Sequence, residues 1–589
     1  MKDFFKYTLA TITGIVITFL MLSLISTLLF ASMLALADKQ EVVVKQGSVL
    51  QMNLNYPIKD RTPQNMPNFF FSDMVTPIGL HDILETLDKA EKDDRIEGIF
   101  LNVSNLAAGS ATITEIRDAL EDFKKSGKFI YAYSEVYTQK AYYLASVADK
   151  VFLNPVGFID FKGLNAQVMF YKNFLDKADI EVQILRPEGN KYKSAVEPFF
   201  MDKMSEANKE QTSKYLDAIW NTYLAKITKS RKISMAQLNE FADNLVGMDA
   251  KRALGANLVD ELAYLDQVYE AINEATGNPK EGKITAITLA KYKTAKLENE
   301  KKHTSKDRIA VIYASGQIVD GKASDQVVGS IRFAKAIRKA RLDKKVKAVV
   351  LRVNSPGGSV IASDVILREM RLLKGVKPVI ASYGDVAASG GYYISCFADK
   401  IVAMPNTITG SIGVFGMIPN FEGLLNKKIG ITTDHVSTNK NAGFPNPFKP
   451  LNTFEAAEMK RHVTDTYFNF TRLVAEGRGM QREEVDHIGQ GRVWAGSDAI
   501  QIGLIDEFGG LEKAIEIAAE AAALEEYRIK KLPKNKSPME QLLDMVSGEQ
   551  SFSKLEKTMG PYFRYIETLN NVQKMQGIQA RLPYDIYID

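Results

Sequence analysis

From Tyr7 to Ala37 the chain carries no charged residue. Leu9, Ile12, Ile15, Val16, Ile17, Phe19, Leu20, Met21, Leu22, Leu24, Ile25, Leu28, Leu29 and Phe30 fall within that stretch. Such a pattern predicts a helix that is apolar all round. Crossing about 30 Å of hydrocarbon takes roughly 20 helical residues, and this run is long enough. Lys2 and Lys6 precede it, which favours a short cytoplasmic amino-terminus with the remainder of the chain on the far side of the membrane. Asp38, Lys39 and Glu41 keep the charge contrast modest. Ala35-Leu36-Ala37 has the form of a signal cleavage site, but cleaved signals have apolar cores of only about 7 to 15 residues. An uncleaved anchor over residues 1–38 is therefore expected, and no later stretch reads as a second span.

Beyond the anchor the pattern changes to short apolar runs alternating with helical spacing. Ala348 to Val353 reads as a strand, Ile361 to Leu373 as a helix, and Pro378-Val379-Ile380-Ala381 as the start of another strand. Strand, helix, strand at these lengths means crossover connections and a largely parallel sheet covered by helices, an α/β architecture. Long helices are expected over Asn208–Ile227 and Phe454–Val474, and a surface helix over the alanine- and glutamate-rich Ala514–Glu526. Tyr562 to Asp589 is aromatic-rich without a period and reads as a terminal packing segment. Phe69-Phe70-Phe71 suits lipid contact, a neighbouring subunit or a core.

An internal repeat organises this pattern. Asp93-Asp94-Arg95-Ile96-Glu97-Gly98-Ile99-Phe100-Leu101-Asn102-Val103 aligns with Asp343-Lys344-Lys345-Val346-Lys347-Ala348-Val349-Val350-Leu351-Arg352-Val353 at a shift of 250. The same shift places Tyr142-Tyr143-Leu144-Ala145-Ser146-Val147-Ala148-Asp149-Lys150-Val151 on Tyr392-Tyr393-Ile394-Ser395-Cys396-Phe397-Ala398-Asp399-Lys400-Ile401. Leu258-Val259-Asp260-Glu261 and Leu504-Ile505-Asp506-Glu507 continue the match. Two copies of one fold follow, residues 39–300 and 301–589, with the boundary in the lysine-rich stretch Lys291–Asp307.

Composition narrows the function. The chain has 589 residues, 46% hydrophobic and 25% charged, as an ordered multidomain protein does. Lys and Arg number 75 against 71 acids, too balanced for a nucleic-acid binder that relies on a broad basic face. A single cysteine excludes an intramolecular disulfide and every cysteine-pair metal or redox motif.

Candidate chemistry lies where the copies differ. In the second copy a strand ends at Asn354-Ser355-Pro356-Gly357-Gly358-Ser359, and consecutive glycines there let backbone amides approach a ligand oxygen or a developing oxyanion. A phosphate-gripping loop is the rival reading, although the spacing is neither that of the P-loop nor that of the dinucleotide fingerprint. A tight turn without chemistry is the plain one. The first copy has Ser104-Asn105-Leu106-Ala107-Ala108-Gly109 and has lost the double glycine. A second constellation, Asp385-Val386-Ala387-Ala388-Ser389-Gly390-Gly391-Tyr392-Tyr393, surrounds Ser389 with small residues and permits a sharp strand-to-helix transition. Close helix packing uses small residues too. The position matching Ser389 in the first copy is Gln139. Asp385 suits ordering of the loop and is assigned no catalytic role.

A serine hydroxyl needs a base. The five histidines, His81, His303, His435, His462 and His487, lie in no recognisable motif. Lysine serves if desolvation leaves it neutral. Lys193, within Tyr192-Lys193-Ser194-Ala195-Val196-Glu197-Pro198-Phe199-Phe200, is flanked by small, apolar and aromatic residues, although a surface lysine fits the pattern as well. Its neighbour Lys191 sits in a polar run and is expected to be exposed.

Together with Thr409-Gly410-Ser411-Ile412-Gly413 and Gly491-Arg492-Val493-Trp494-Ala495-Gly496, these segments make the whole chain closely resemble the long, two-copy signal peptide peptidases of the protease IV type. These are membrane-anchored serine peptidases with tandem ClpP/crotonase-like domains. The resemblance implies Ser389 as nucleophile, Lys193 as general base supplied by the first copy, and Ser411 as its assistant. The amides near Gly357 and Gly358 would receive the oxyanion. It implies acyl-enzyme chemistry with no metal or organic cofactor, and a bowl-shaped homotetramer opening towards the lipid bilayer. The implied substrates are remnant signal peptides and other apolar unfolded peptides, not nucleic acid. Two other classes fit the fold pattern: a crotonase-like acyl-CoA enzyme, in which paired amides polarise a thioester, and a non-catalytic membrane scaffold.

Overall fold

The computed structural model describes residues 2–37, 42–62, 77–278, 282–297, 305–323, 326–534 and 577–582. Phe69-Phe70-Phe71, part of the expected boundary at Lys291–Asp307, and most of Tyr562–Asp589 lie outside the described residues.

The apolar amino-terminal run forms one helix, Lys2–Ala37. Its stretch Asp3–Ser26 has a mean hydropathy of 2.2 and no burial against the rest of the protein. Side chains such as Ile12, Phe19 and Leu22 point outward on all sides, as a lipid-facing helix requires.

Among the described residues the first half builds a six-stranded sheet and the second an eight-stranded one, six of whose strands form a continuous path. In the first, the spatial order is Glu261–Leu262, Lys150–Asp160, Phe129–Thr138, Ile96–Asn102, Ser48–Met52, Ala286–Thr288, and every neighbouring pair is parallel. In the second it is Val493–Ala495, Ile408–Gly410, Val379–Ala388, Val346–Ser355, Arg308–Ser315, Arg528–Leu532, parallel except for the outermost Val493–Ala495. Lys400–Ala403 also pairs with Val379–Ala388. The central strands are apolar on both faces because helices cover both, which is why Ala348 to Leu351 reads as an unbroken apolar run. The α/β class and the tandem organisation are those expected.

Helix ends follow local chemistry. Ser205 caps Glu206–Arg231 by accepting from Asn208 N–H. Asn452 and Glu455 form a capping box on Thr453–Arg478, which stops at the left-handed Gly479. Both long helices run a few residues past their expected ends. Leu511–Ala521 corrects an expectation. It is no mere surface helix, because Leu511, Ala514, Ile515 and Ala518 pack beneath it on the second sheet with Val350 and Ile380.

Two of the features that join the halves bear on the site. Arg352, on the central strand of the second sheet, is fully buried and binds two acids of the first half, Asp60 at 2.8 Å and Glu115 at 2.6 Å. A third, mixed sheet places Glu181–Leu185 of the first half antiparallel to Phe415–Asn420 of the second. This pairing carries the first copy's chain across the second and delivers Lys193.

Candidate active site

Strand Val379–Ala388 ends abruptly at Ser389, and helix Gly390–Tyr393 begins at the next residue. Ser389 has φ 55° and ψ −114°, a sparsely populated conformation costing about 1–3 kcal/mol. Its N–H donates to Gly410 O at 2.8 Å, and its carbonyl accepts from Tyr393 N–H at 2.8 Å, which hold the bend. Gly391 is required beside it, since a Cβ there would lie 2.7 Å from Ser355 O. The sharp transition expected from the small residues is present. Asp385 steadies the approach: its carboxylate accepts from Thr112 N–H at 2.8 Å and from the Thr112 hydroxyl at 2.7 Å, on helix Ser110–Phe123 of the first half.

Lys193 enters from the opposite side, just ahead of the short helical turn Ser194–Val196. It is fully buried, and its Nζ lies 2.9 Å from Ser389 Oγ, 2.9 Å from Ser411 Oγ and 3.0 Å from Ser411 O. Burial alone holds its pKa well below the ordinary lysine value, with no carboxylate among the causes to oppose it. A neutral amine has two hydrogens and one lone pair. With three oxygens around it, one hydroxyl donates to nitrogen, the arrangement a general base needs.

Backbone packing fixes that amine. Gln211, buried on helix Glu206–Arg231, donates to Tyr192 O at 3.1 Å and Ser194 Oγ at 2.8 Å, and accepts from Val493 N–H at 3.1 Å. It thereby ties the chain on both sides of Lys193 to the strand beside Ser411. Gly491 closes the other side, where a Cβ would meet Lys193 Cβ at 2.5 Å and Lys193 N at 2.7 Å. Arg492 lies over the rings of Tyr192 and Trp494, 4.6 Å and 4.4 Å from their centroids, and bonds Glu210 at 2.7 Å. Ser411, at φ 49°, is held by its N–H to Arg492 O at 2.6 Å. Lys191 is exposed, as expected.

Gly357 and Gly358 run alongside Ser389. Gly357, at φ 97°, has no room for a side chain, because a Cβ would lie 2.6 Å from Gly390 N. Gly357 N–H donates to Ser355 Oγ at 3.2 Å. The amide of Gly390 opens a helix, where the first N–H groups have no partner within it. Among the described histidines, His81 is buried between the Tyr313 hydroxyl at 2.8 Å and Glu85 at 3.0 Å, while His435, His462 and His487 are exposed.

Residues 122–278 and 371–525, one stretch in each half, match the model of peptidase family S49. The chain belongs to peptidase family S49. It is similar to Protease 4 of Salmonella typhi, 39% identical over 81% of this chain and 77% of that protein. It is also similar to Protease 4 of Haemophilus influenzae, 37% identical over 75% of this chain and 72% of that one. The chloroplastic serine protease SPPA of Arabidopsis thaliana is 34% identical over 92% of this chain and 78% of its own length. The chain is therefore a serine peptidase that acts on peptides.

In this S49 peptidase all the residues singled out in the sequence, Ser389, Lys193, Ser411, Gly357 and Gly358, come together at one place. Gln211 was not found by reading the sequence, and nothing in its surroundings marks it. Gly491 lies in the Gly491–Gly496 motif, and its lack of a side chain admits the Lys193 backbone.

Proposed function

We propose that this S49 peptidase cleaves apolar, unfolded peptides through an acyl-enzyme, with Ser389 as nucleophile and Lys193 as its base. The single observation behind this reading is the 2.9 Å contact between Lys193 Nζ and Ser389 Oγ in a fully buried setting. Neutral Lys193 takes the Ser389 proton as the oxygen attacks a peptide carbonyl. The resulting ammonium gives that proton to the leaving amine, and the amine then activates water for deacylation. Ser411 orients Nζ through its hydroxyl and carbonyl. Gly358 N–H, joined by the amide of Gly390, receives the oxyanion, while Gly357 supplies the close approach.

Residues 39–300 then supply the base and residues 301–589 the nucleophile. The apolar helix Lys2–Ala37 anchors the enzyme, with both halves on the extracytoplasmic side of the membrane, where remnant signal peptides in the bilayer are the substrates. We propose a homotetramer; self-association is favoured by residues 426–443, which are exposed throughout and present Ile429, Ile431 and Val436 to solvent. That segment follows strand Phe415–Asn420, and an apolar surface of this kind suits a second copy.

Hydrolysis of a fluorogenic apolar peptide by detergent-solubilised enzyme tests the chemistry. Ser389→Ala and Lys193→Ala, at unchanged oligomer size, are expected to lower kcat/KM by about 10³-fold or more. Equal turnover in all three proteins refutes the dyad.

A further inference from the structure

The strand that leads to Ser389 bulges between Tyr383 and Ala387, where four steps along it pass only two on its neighbour, from Val353 to Ser355. At the bulge it changes its other partner, from Lys400–Val402 to Ile408–Gly410. A bulge re-aims its strand and takes backbone groups out of the ladder, so side chains must hold this one. Asn354 Oδ1 accepts from Val386 N–H at 3.2 Å, and the Thr407 hydroxyl donates to Gly384 O at 2.8 Å. Asp385, in the middle of the bulge, reaches across to the first half.

There it replaces a missing cap. Helix Ser110–Phe123 starts after Gly109, which has no side chain to cap it. The Asp385 carboxylate accepts from both the N–H and the hydroxyl of Thr112, the third helical residue, as an N-cap side chain does from within its own chain segment. The second copy caps the matching helix differently. At the shift of 250, Gly109 and Thr112 fall on Ser359 and Ala362, and Ser359 Oγ accepts from Ala362 N–H at 3.3 Å. Asp385 matches Glu135 of the first half, which is exposed. A side chain at Gly109 is incompatible with this contact, since a Cβ would lie 2.1 Å from Asp385 Cγ. The same helix also holds the adjacent strand: Asn406 Nδ2, just ahead of Ile408–Gly410 and Ser411, donates to the Thr114 hydroxyl at 2.9 Å.

We propose that Asp385 and Thr112 are positioning residues for the reaction, the contact through which the first half sets the direction in which the chain enters Ser389; this rests on the Ser389/Lys193 assignment. Neither residue touches the reacting atoms. Asp385 fixes the bulge, and the short stretch Val386–Ala388 carries that orientation straight into the bend at Ser389. The first half therefore governs both members of the dyad. It carries Lys193, and through Thr112 it aims the hydroxyl that Lys193 must reach. A misplacement of about 1 Å in such a pair costs about 10²-fold in rate.

Hydrolysis of a fluorogenic apolar peptide and labelling by a fluorophosphonate, both on full-length, detergent-solubilised protein, test this beside the melting temperature. Asp385→Ala is expected to lower kcat and the labelling rate about 10²-fold with KM little changed. Asp385→Asn, whose amide oxygen still accepts from Thr112 N–H, is expected to recover most of both. The deciding protein combines Asp385→Ala with Gly109→Ser, which caps the helix from within as Ser359 does. It is expected to regain the melting temperature lost in Asp385→Ala and to stay slow. Recovery of kcat along with the melting temperature overturns the proposal, because the contact then serves the helix alone. Should Asp385→Ala not fold, Thr112→Val and Thr112→Ser decide: the first keeps the shape and loses the hydroxyl, the second keeps the hydroxyl. Thr112→Val is expected to be about tenfold slower than Thr112→Ser, and equal kcat overturns the proposal. Parent-like kcat in Asp385→Ala also overturns it, and leaves the dyad standing where Ser389→Ala is neither labelled nor active. Labelling and turnover of Ser389→Ala at the parent's rate remove the dyad and this proposal together.

Discussion

The two halves of the molecule use the same joints and differ in what they leave open. Tyr142 bonds Leu258 O at 2.8 Å in the first, and Tyr392 bonds Leu504 O at 2.9 Å in the second. Asp149 accepts from Ile130 N–H and Asp399 from Val379 N–H, both at 2.8 Å. Arg231 with Asp260 and Arg478 with Asp506 close each sheet's far side. At the position of Ser389, however, the first half has Gln139. There the chain passes into helix Gln139–Ala145 from Thr138 at φ −65°, without a left-handed residue. The Gln139 carboxamide accepts from Lys162 N–H and Gly163 N–H and donates to Gly163 O. One half fills its elbow with a satisfied side chain; the other keeps a strained hydroxyl there. Scaffold and chemistry are separable in this fold, and the first half keeps the scaffold while lending a lysine.

The largest way to break the comparison is at the joint between the halves. Arg352→Met strands the buried carboxylates of Asp60 and Glu115, and is expected to cost about 3–5 kcal/mol, read by denaturant unfolding. Asn102, at the matching position of the first half, has no such role, so Asn102→Ala is expected to cost far less. A smaller effect sharpens the price of chemistry. With its pKa lowered by burial, Lys193 is neutral when folded and protonated when unfolded, over the window between its lowered value and the ordinary lysine value near pH 10.5. The unfolded state binds more protons there, so stability rises with pH through that window and Lys193 is a liability below it. Lys193→Met is expected to raise the melting temperature at neutral pH by a few degrees, on the order of 1 kcal/mol, with the gain shrinking towards pH 10.5. In the parent, kcat/KM falls about tenfold per pH unit below the lowered lysine value. The smallest effect is at the filled elbow. Gln139→Ala is expected to lose about 1 kcal/mol of stability and leave kcat/KM within about twofold.

Much of this was legible because it was written locally. An apolar run long enough to span lipid, apolar strands buried on both faces, and a 250-residue offset each sit in contiguous residues. Ser389, among small neighbours, and Lys193, flanked by aromatic and apolar residues, were legible only as candidates, and their roles came from the resemblance to known peptidases. Gln211 was not legible. A glutamine on a long helix looks like any solvated one until tertiary packing sets it between Tyr192, Ser194 and Val493. The segment ending at Leu582 was missed for a related reason: five residues of strand, Gly577–Arg581, carry no period, and only their partners reveal them. The amphipathic face of Leu511–Ala521 was masked by its alanines, which read as surface yet pack on a sheet.

Lys193 and Ser389 stand 196 residues apart, and that separation sets a timetable for the cell. The lysine leaves the ribosome first and the serine much later, and neither is of use until both halves have folded and Glu181–Leu185 has found Phe415–Asn420. On the roles proposed above, a chain broken off before Ser389 carries a base with nothing to activate. On the proposed dyad, activity waits for the whole molecule.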